Sequence, residues 1–159
     1  MGAKSSKNEN PSFLRQTFSM GVGDSQENGA ENRLEWRIEE IVLYRFRVKL
    51  IGRIIKSKFY FLLVEVKNGE NLGFFIVKFD RKGSKSLEFY EGKNQALFSP
   101  FSKGFDNPSV EVVRKLQVPG KCVKDLVEAF EQWNLRFNLL MHNTKDFCSF
   151  IQKRLLVSN

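Results

Sequence analysis

Hydrophobic residues in the middle of the chain follow the pattern of β-strands. The apolar, aromatic stretches KFYFLLVEV (58–66) and NLGFFIVKF (71–79) flank the polar segment KNGE, in which Asn68–Gly69 is a strong hairpin signal. The stretch SLEFYEG follows after a second turn at Arg81 to Ser84, and LEWRIEEIVL (34–43) supplies an earlier strand. The pattern therefore predicts an antiparallel sheet.

Two segments near the C-terminus have helical periodicity instead. In VKDLVEAFEQWN (123–134) and in TKDFCSFIQKRLL (144–156) the apolar residues recur at helical spacing, so each helix lays one apolar stripe on the sheet. Thr144 is predicted as the N-cap of the second helix. Residues 91–120, with three prolines, read as a long loop that holds one more strand near Val112 to Val118. The expected fold is α+β, with an antiparallel sheet packed against C-terminal helices.

The composition changes near residue 33. The first 33 residues are rich in Ser, Asn, Gly and Glu and show no hydrophobic period, which predicts a disordered tail. Residues 34–159 form the predicted domain. The charges of the tail cancel, so the formal net charge of +8 belongs to the domain.

The tail begins with MGAKSSK, which fits the pattern for N-myristoylation. Gly2 would become the N-terminus after removal of Met1, and Ser6 and Lys7 stand at the preferred positions. One myristoyl chain binds membranes with an association constant of only about 10⁴ M⁻¹, so stable attachment needs a second signal. No apolar run reaches the length of a membrane span. We therefore expect a cytoplasmic, peripheral membrane protein.

A candidate second signal is the basic stretch RFRVKLIGRIIKSK (45–58), which contains no acid. In a strand, Arg45, Arg47 and Lys49 would share one face, and each basic residue near an anionic leaflet contributes about 1 kcal/mol. The same face could attract nucleic acid, but no nucleic-acid motif occurs, and an ordinary solvated strand face is the simpler alternative. The predicted membrane-binding residues are Lys4, Lys7, Arg45, Arg47, Lys49, Arg53, Lys56 and Lys58.

The two cysteines, Cys122 and Cys148, lack the spacing of a metal site or a disulfide framework. Reduced thiols are the simple interpretation, and the sequence predicts neither a metal nor a cofactor.

Several motifs together resemble one enzyme family. They are Trp36 before the pattern xIxxIVL, an aromatic hairpin, a helix with Val-Lys-Asp-Leu, and the segment FNLLMHNTKDF (137–147) that opens the final helix. Over residues 34–156 the chain resembles the lecithin:retinol acyltransferase-like branch of the NlpC superfamily, whose members are circularly permuted papain-like thiol enzymes. The resemblance implies that Thr144 replaces the nucleophilic cysteine. It also implies that Phe59 and Tyr60 stand at the position of the catalytic histidine, and Val77 near that of the orienting polar residue.

Such replacements would abolish a Cys–His mechanism. We therefore expect a non-catalytic, membrane-associated module, in which the groove between the final helix and the sheet has become apolar and is available to a lipid chain or a partner peptide.

The alternative is an active thiol acyltransferase or hydrolase with a displaced nucleophile. The candidates are Cys148, one turn after Thr144, and Cys122, which is expected to open its helix. A helix N-terminus can lower a thiol pKa, but nothing in the sequence pairs with Cys122. The only histidine, His142, has no positioned partner in the sequence.

Overall fold

The computed structural model describes residues 30–50, 53–79, 83–98, 109–134 and 143–157, together with the backbone of Arg15 and Gln16. Residues 47–50, 53–58 and 109 are also described by their backbone alone. The strands are β1 (Arg15–Gln16), β2 (Arg37–Leu50), β3 (Arg53–Asn68), β4 (Asn71–Phe79), β5 (Lys85–Tyr90) and β6 (Ser109–Leu116). The α-helices are α1 (Lys93–Phe98), α2 (Val123–Gln132) and α3 (Thr144–Leu156), and a short 3₁₀ helix spans Glu31–Arg33.

The strands form one antiparallel sheet in the order β1-β5-β4-β3-β2-β6. The longest strands of the described sheet, β2 and β3, pair with each other as a hairpin. The β3–β4 hairpin turns at Gly69, whose φ of +63° suits a residue without a side chain. Because β6 pairs with β2, the chain between β5 and β6 passes from one side of the sheet to the other.

Helices α2 and α3 cover one face of the sheet. Phe147, Cys148 and Ile151 of α3 are fully buried there, as are Leu126 and Phe130 of α2. These helices are held to the sheet by the apolar stripes that the sequence predicts.

The opposite face of the sheet is also apolar, and it is rich in aromatic residues. Phe61, Leu63 and Ile76 are buried on it, and α1 packs against it through Ala96. Tyr44 stacks on Phe61 with ring centroids 5.4 Å apart. Burial on both faces explains why β3 and β4 read as nearly continuous apolar runs with little polar alternation.

The predicted α+β class, with an antiparallel sheet and C-terminal helices, is confirmed. The bounds of β4 and α3 also agree with the sequence pattern. Other bounds were wrong: the first long strand is Arg37–Leu50 and runs through the basic stretch, and the predicted loop at 91–120 also contains α1. The strand expected there near Val112 to Val118 is present, at Ser109–Leu116. Helix α1 escapes prediction because six residues are too short to show a hydrophobic period.

The folded part begins before the predicted boundary at residue 34. Ala30 is buried in the core beneath the helices, and the 3₁₀ helix follows it. Arg15 and Gln16, which the composition places in a disordered tail, pair with Glu88 and Leu87 of β5. Residues 1–14 and 17–29 of the predicted tail lie outside the described residues.

Candidate functional site

Thr144 stands in the first turn of α3 and faces the sheet. The backbone N–H of Tyr60 in β3 donates a hydrogen bond to Thr144 Oγ1, with a nitrogen-to-oxygen distance of 3.1 Å. Thr144 is only 5% exposed. Its hydroxyl is therefore engaged with the backbone of the sheet.

Thr144 is not the N-cap that the sequence predicts. Asn143 caps α3: its Oδ1 accepts the N–H of Asp146 at 3.1 Å, and Asp146 Oδ2 accepts the N–H of Asn143 at 3.3 Å. This reciprocal pair satisfies two N–H groups at the start of the helix. Thr144 is thus free to bond with β3 instead.

A polar cluster surrounds Tyr60 beside the start of α3. Lys145 Nζ lies 5.9 Å from the centre of the Tyr60 ring. Arg45, opposite Tyr60 in the sheet, forms an ion pair with Glu111 of β6, in which its Nε donates to Glu111 Oε2 at 3.1 Å. Hydrogen bonds to Glu111 and then to Tyr60 raise the pKa of Arg45. These contacts place cations and a phenol next to Thr144, and within the described residues no base bonds to its hydroxyl.

The resemblance grouped Phe59, Tyr60, Val77 and Thr144, and the structure brings only Tyr60 and Thr144 together. Phe59 points to the other face of the sheet, where its ring stacks on Phe46 with centroids 5.2 Å apart. Neighbouring residues of a strand face opposite sides, so Phe59 and Tyr60 cannot both border α3. Val77 is fully buried and pairs with Leu62, two residues along β3 from Tyr60.

The predicted open groove between α3 and the sheet is filled by side chains of the chain itself. Phe147 stacks on Phe79 with centroids 5.3 Å apart and meets Trp133 edge to face at 5.5 Å. Cys148 and Ile151 complete this contact, and all five residues are buried. At these described residues, the space between α3 and the sheet is therefore occupied by the protein's own aromatic side chains.

Neither cysteine has the features of an activated nucleophile. Cys148 is fully buried among apolar side chains, and this burial strongly raises its thiol pKa. Cys122 is the N-cap of α2, as predicted, and its Sγ lies 3.4 Å from Asp125 Oδ2. The pKa of Cys122 is raised, and burial is the largest cause. The backbone N–H groups of Asp125 and Lys124 at the start of the helix lower the thiol pKa, but burial outweighs them, and the Asp125 carboxylate adds to the rise.

The basic stretch is concentrated at one end of the β2–β3 hairpin. Arg47 pairs with Lys58, and Leu50 pairs with Arg53, so the basic halves of the two strands lie side by side. The other half of the hairpin, residues 37–44 and 60–68, contains three acids and two bases. The charge of the hairpin is therefore polarised along its length.

Arg45 is the exception among these basic residues. Its guanidinium is bound by Glu111, so its charge is largely neutralised within the protein. No local pattern in the sequence indicates this ion pair, because Glu111 lies 66 residues away in a segment that was predicted as loop. The side chains of Arg47, Lys49, Arg53, Lys56 and Lys58 are not described, and Gly2, Lys4, Lys7 and His142 lie outside the described residues.

No match to this chain was found among models of known families, curated proteins or solved structures. In the part of the chain that the structure describes, no helix is long and apolar enough to cross a membrane. Nor does that part contain a group of three His, Cys, Asp or Glu residues that could hold a metal ion.

Proposed function

We propose that this protein is a non-catalytic, membrane-associated binding module, recruited to an anionic cytoplasmic surface by a myristoyl group on Gly2 and by the basic end of the β2–β3 hairpin. The observation that carries the proposal is the polarised hairpin. The register of β2 and β3 collects six basic residues and no acid into residues 45–50 and 53–58, and five of them remain when Arg45, which is paired with Glu111, is set aside. Such a surface suits an anionic bilayer, and the myristoyl chain supplies the second weak attachment that stable binding requires.

The state of the candidate nucleophiles supports the non-catalytic part of the proposal. Thr144 Oγ1 is bonded to the backbone of β3, and Cys148 is buried with a raised pKa. A nucleophile needs an adjacent base or a lowered pKa. The contacts of both residues therefore favour a structural role over catalysis.

Within this proposal, the chain is a degenerate, permuted papain-like protein of the lecithin:retinol acyltransferase-like type. Contact between Thr144 and Tyr60 supports this, because the resemblance assigns these two positions to the family's cysteine and histidine. Thr144→Cys together with Tyr60→His should then produce a thiol that iodoacetamide alkylates more readily at pH 7 than the thiol of Thr144→Cys alone. Equal alkylation rates in the two variants would speak against the family assignment.

Vesicle co-sedimentation tests the membrane proposal. The myristoylated protein should bind vesicles that contain phosphatidylserine, and should bind neutral vesicles much more weakly. Gly2→Ala, which cannot be acylated, should lose most of this binding. A variant with Lys49→Gln, Lys56→Gln and Lys58→Gln should bind about a hundredfold more weakly, since each basic residue contributes about 1 kcal/mol.

A charge-matched control isolates the position of the charges. Lys93→Gln, Lys115→Gln and Lys153→Gln remove the same charge from exposed residues on α1, β6 and α3. This control should bind nearly as well as the wild type. Equal losses in both triple variants, or binding that is indifferent to Gly2 and to lipid charge, would overturn the proposal. Tight, salt-sensitive binding to polynucleotides without dependence on Gly2 would point to nucleic acid instead.

A further inference from the structure

A second polar site lies at the opposite end of the β2–β3 hairpin. Here a cavity of about 360 Å³ opens between the start of β2, the β3–β4 turn and the segment that leads into α2. Its lining residues are Glu35, Arg37, Lys67, Asn68, Gly69, Gly120, Lys121 and Cys122. The start of β2 lies about 40 Å from the basic end of the hairpin, at roughly 3.3 Å per residue.

Three basic residues line this cavity. Arg37 and Lys67 stand directly opposite each other in the β2–β3 ladder, and Lys121 comes from the segment before α2. Like charges directly opposite each other in a sheet are unfavourable. Glu35 is the only acid in the lining, and Glu39 pairs with Arg37 from outside it, so the cavity keeps an excess of positive charge.

The walls of the cavity are fixed by backbone hydrogen bonds. Lys121 N–H donates to Val118 O at 3.2 Å across a turn in which Gly120 has a φ of +80°. Ile38 N–H donates to Lys121 O at 2.9 Å, which joins this segment to β2. The cavity is therefore formed before any ligand enters, which lowers the cost of binding.

The donors available to a ligand are side chains. The N–H groups of Val123 and Lys124, at the start of α2, already donate to Trp36 O and Leu34 O at 2.9 Å. Lys121 Nζ donates to Val157 O at 3.0 Å, and an ammonium group retains two further donors. Arg37 Nε donates to Glu39 at 3.2 Å, and the other N–H groups of the guanidinium can donate to a ligand.

We infer that this cavity binds a small, soluble phosphomonoester. A phosphomonoester carries close to two negative charges at neutral pH, which complement the positive charge of the lining. Arginine and lysine together are suited to phosphate oxygens. The volume falls within the range of small-molecule sites and leaves room for an organic group, whose hydroxyls Glu35 and Asn68 can bind.

The thiol of Cys122 provides a reporter inside the cavity. It is partly exposed, whereas Cys148, the other cysteine of the chain, is fully buried. Alkylation of the folded protein by N-ethylmaleimide therefore reports on Cys122. Phenyl phosphate at millimolar concentration should slow this alkylation at least fivefold in a saturable manner, and should raise the melting temperature of the protein.

Two variants test whether the basic residues of the cavity bind the phenyl phosphate. Lys67→Gln removes one of the opposed charges and should weaken protection by phenyl phosphate about tenfold. Lys124→Gln removes a neighbouring exposed lysine that does not line the cavity. Phenyl phosphate should protect Cys122 of this variant from alkylation as well as it does in the wild type. The melting temperature of each variant without ligand verifies that it folds.

Three results would overturn the inference. Sodium chloride at the same ionic strength could slow alkylation equally, or Lys67→Gln could retain full protection. Protection by vesicles containing phosphatidic acid, without protection by phenyl phosphate, would reject a soluble ligand.

Discussion

Thr144 in α3 accepts a hydrogen bond from the backbone N–H of Tyr60 in β3, across 3.1 Å. This bond ties the start of the last helix to the middle of the longest strand. It also gives a partly buried N–H group of the sheet a partner, and an unpartnered N–H away from water is costly. The hydroxyl at this position therefore has a structural purpose that requires no catalysis.

Replacing Thr144 by Val should reveal that purpose. Valine keeps the shape of the side chain but cannot accept the Tyr60 N–H, so the free energy of unfolding should fall by about 1–3 kcal/mol. Urea unfolding followed by circular dichroism measures the change. Thr144→Ser retains the acceptor and should lose clearly less stability. If Val and Ser are equally tolerated, the hydrogen bond contributes little.

The sequence predicts the elements whose patterns are long and regular. Strand β4 and helix α3 were found with correct bounds because an apolar run beside a turn, and a helical stripe of apolar residues, are strong local signals. Strand β6 was placed only approximately. Val112 and Val113 are 51% and 42% exposed, so its apolar residues do not mark one buried face.

The candidate site was harder to predict because its contacts are between distant residues. The resemblance predicted that Thr144 and Tyr60 belong to one site. It did not predict the bond between them, which joins the Thr144 side chain to the Tyr60 backbone. Pairing of Arg45 with Glu111 depends on β6 lying beside β2, and no local pattern encodes that pairing. Phe59 was misplaced because the face it occupies depends on the register of β3 in the sheet.

Gly73 in β4 should be sensitive to the smallest enlargement. A methyl group added there would overlap Cε1 and Cζ of Phe89, and the Arg33 guanidinium lies 3.7 Å from the centre of the same ring. Phe89 is therefore confined on both sides. Gly73→Ala should lower the free energy of unfolding by about 1–3 kcal/mol, a typical cost of overpacking.

Chemical denaturation of a second variant tests this explanation of Gly73. Combining Gly73→Ala with Phe89→Leu removes the ring that the methyl group would meet. The two changes should then be less destabilising together than the sum of their separate effects, measured as a double-mutant cycle. Simple additivity would show that Phe89 is not the cause.

Lys85 should make stability depend on pH above neutrality. Its ammonium is buried and donates to Phe130 O and Trp133 O at the end of α2, both at 2.7 Å. Burial lowers the pKa of Lys85 below its ordinary value of 10.5. Between the folded pKa of Lys85 and 10.5, the unfolded chain binds more protons than the folded protein. Lys85 therefore increases the free energy of unfolding as the pH rises through this range. A neutral amine still has two N–H donors, enough for both carbonyls.

Comparison with Lys85→Met isolates this effect. The variant should be less stable at pH 7 by about 1–3 kcal/mol, because two buried carbonyls lose their donor. Its deficit relative to the wild type should widen in urea unfolding as the pH rises from neutrality towards 10.5. Lys93→Met, at an exposed lysine of α1, should follow the pH profile of the wild type. A deficit that is constant or shrinks with pH would contradict the lowered pKa.

The two thiols should differ sharply in reactivity, and neither should behave as a catalytic nucleophile. Cys148 is fully buried, so iodoacetamide should reach it only when the protein unfolds. Cys122 should react slowly at pH 7, and its rate should rise with a midpoint above the ordinary thiol pKa of 9.0 because burial and Asp125 raise it. Asp125→Asn removes the carboxylate but keeps an oxygen for the helix cap, so the midpoint should move to lower pH. Stoichiometric labelling of either thiol within seconds at pH 7 would instead favour a displaced-thiol enzyme, because only a stabilised thiolate reacts so readily.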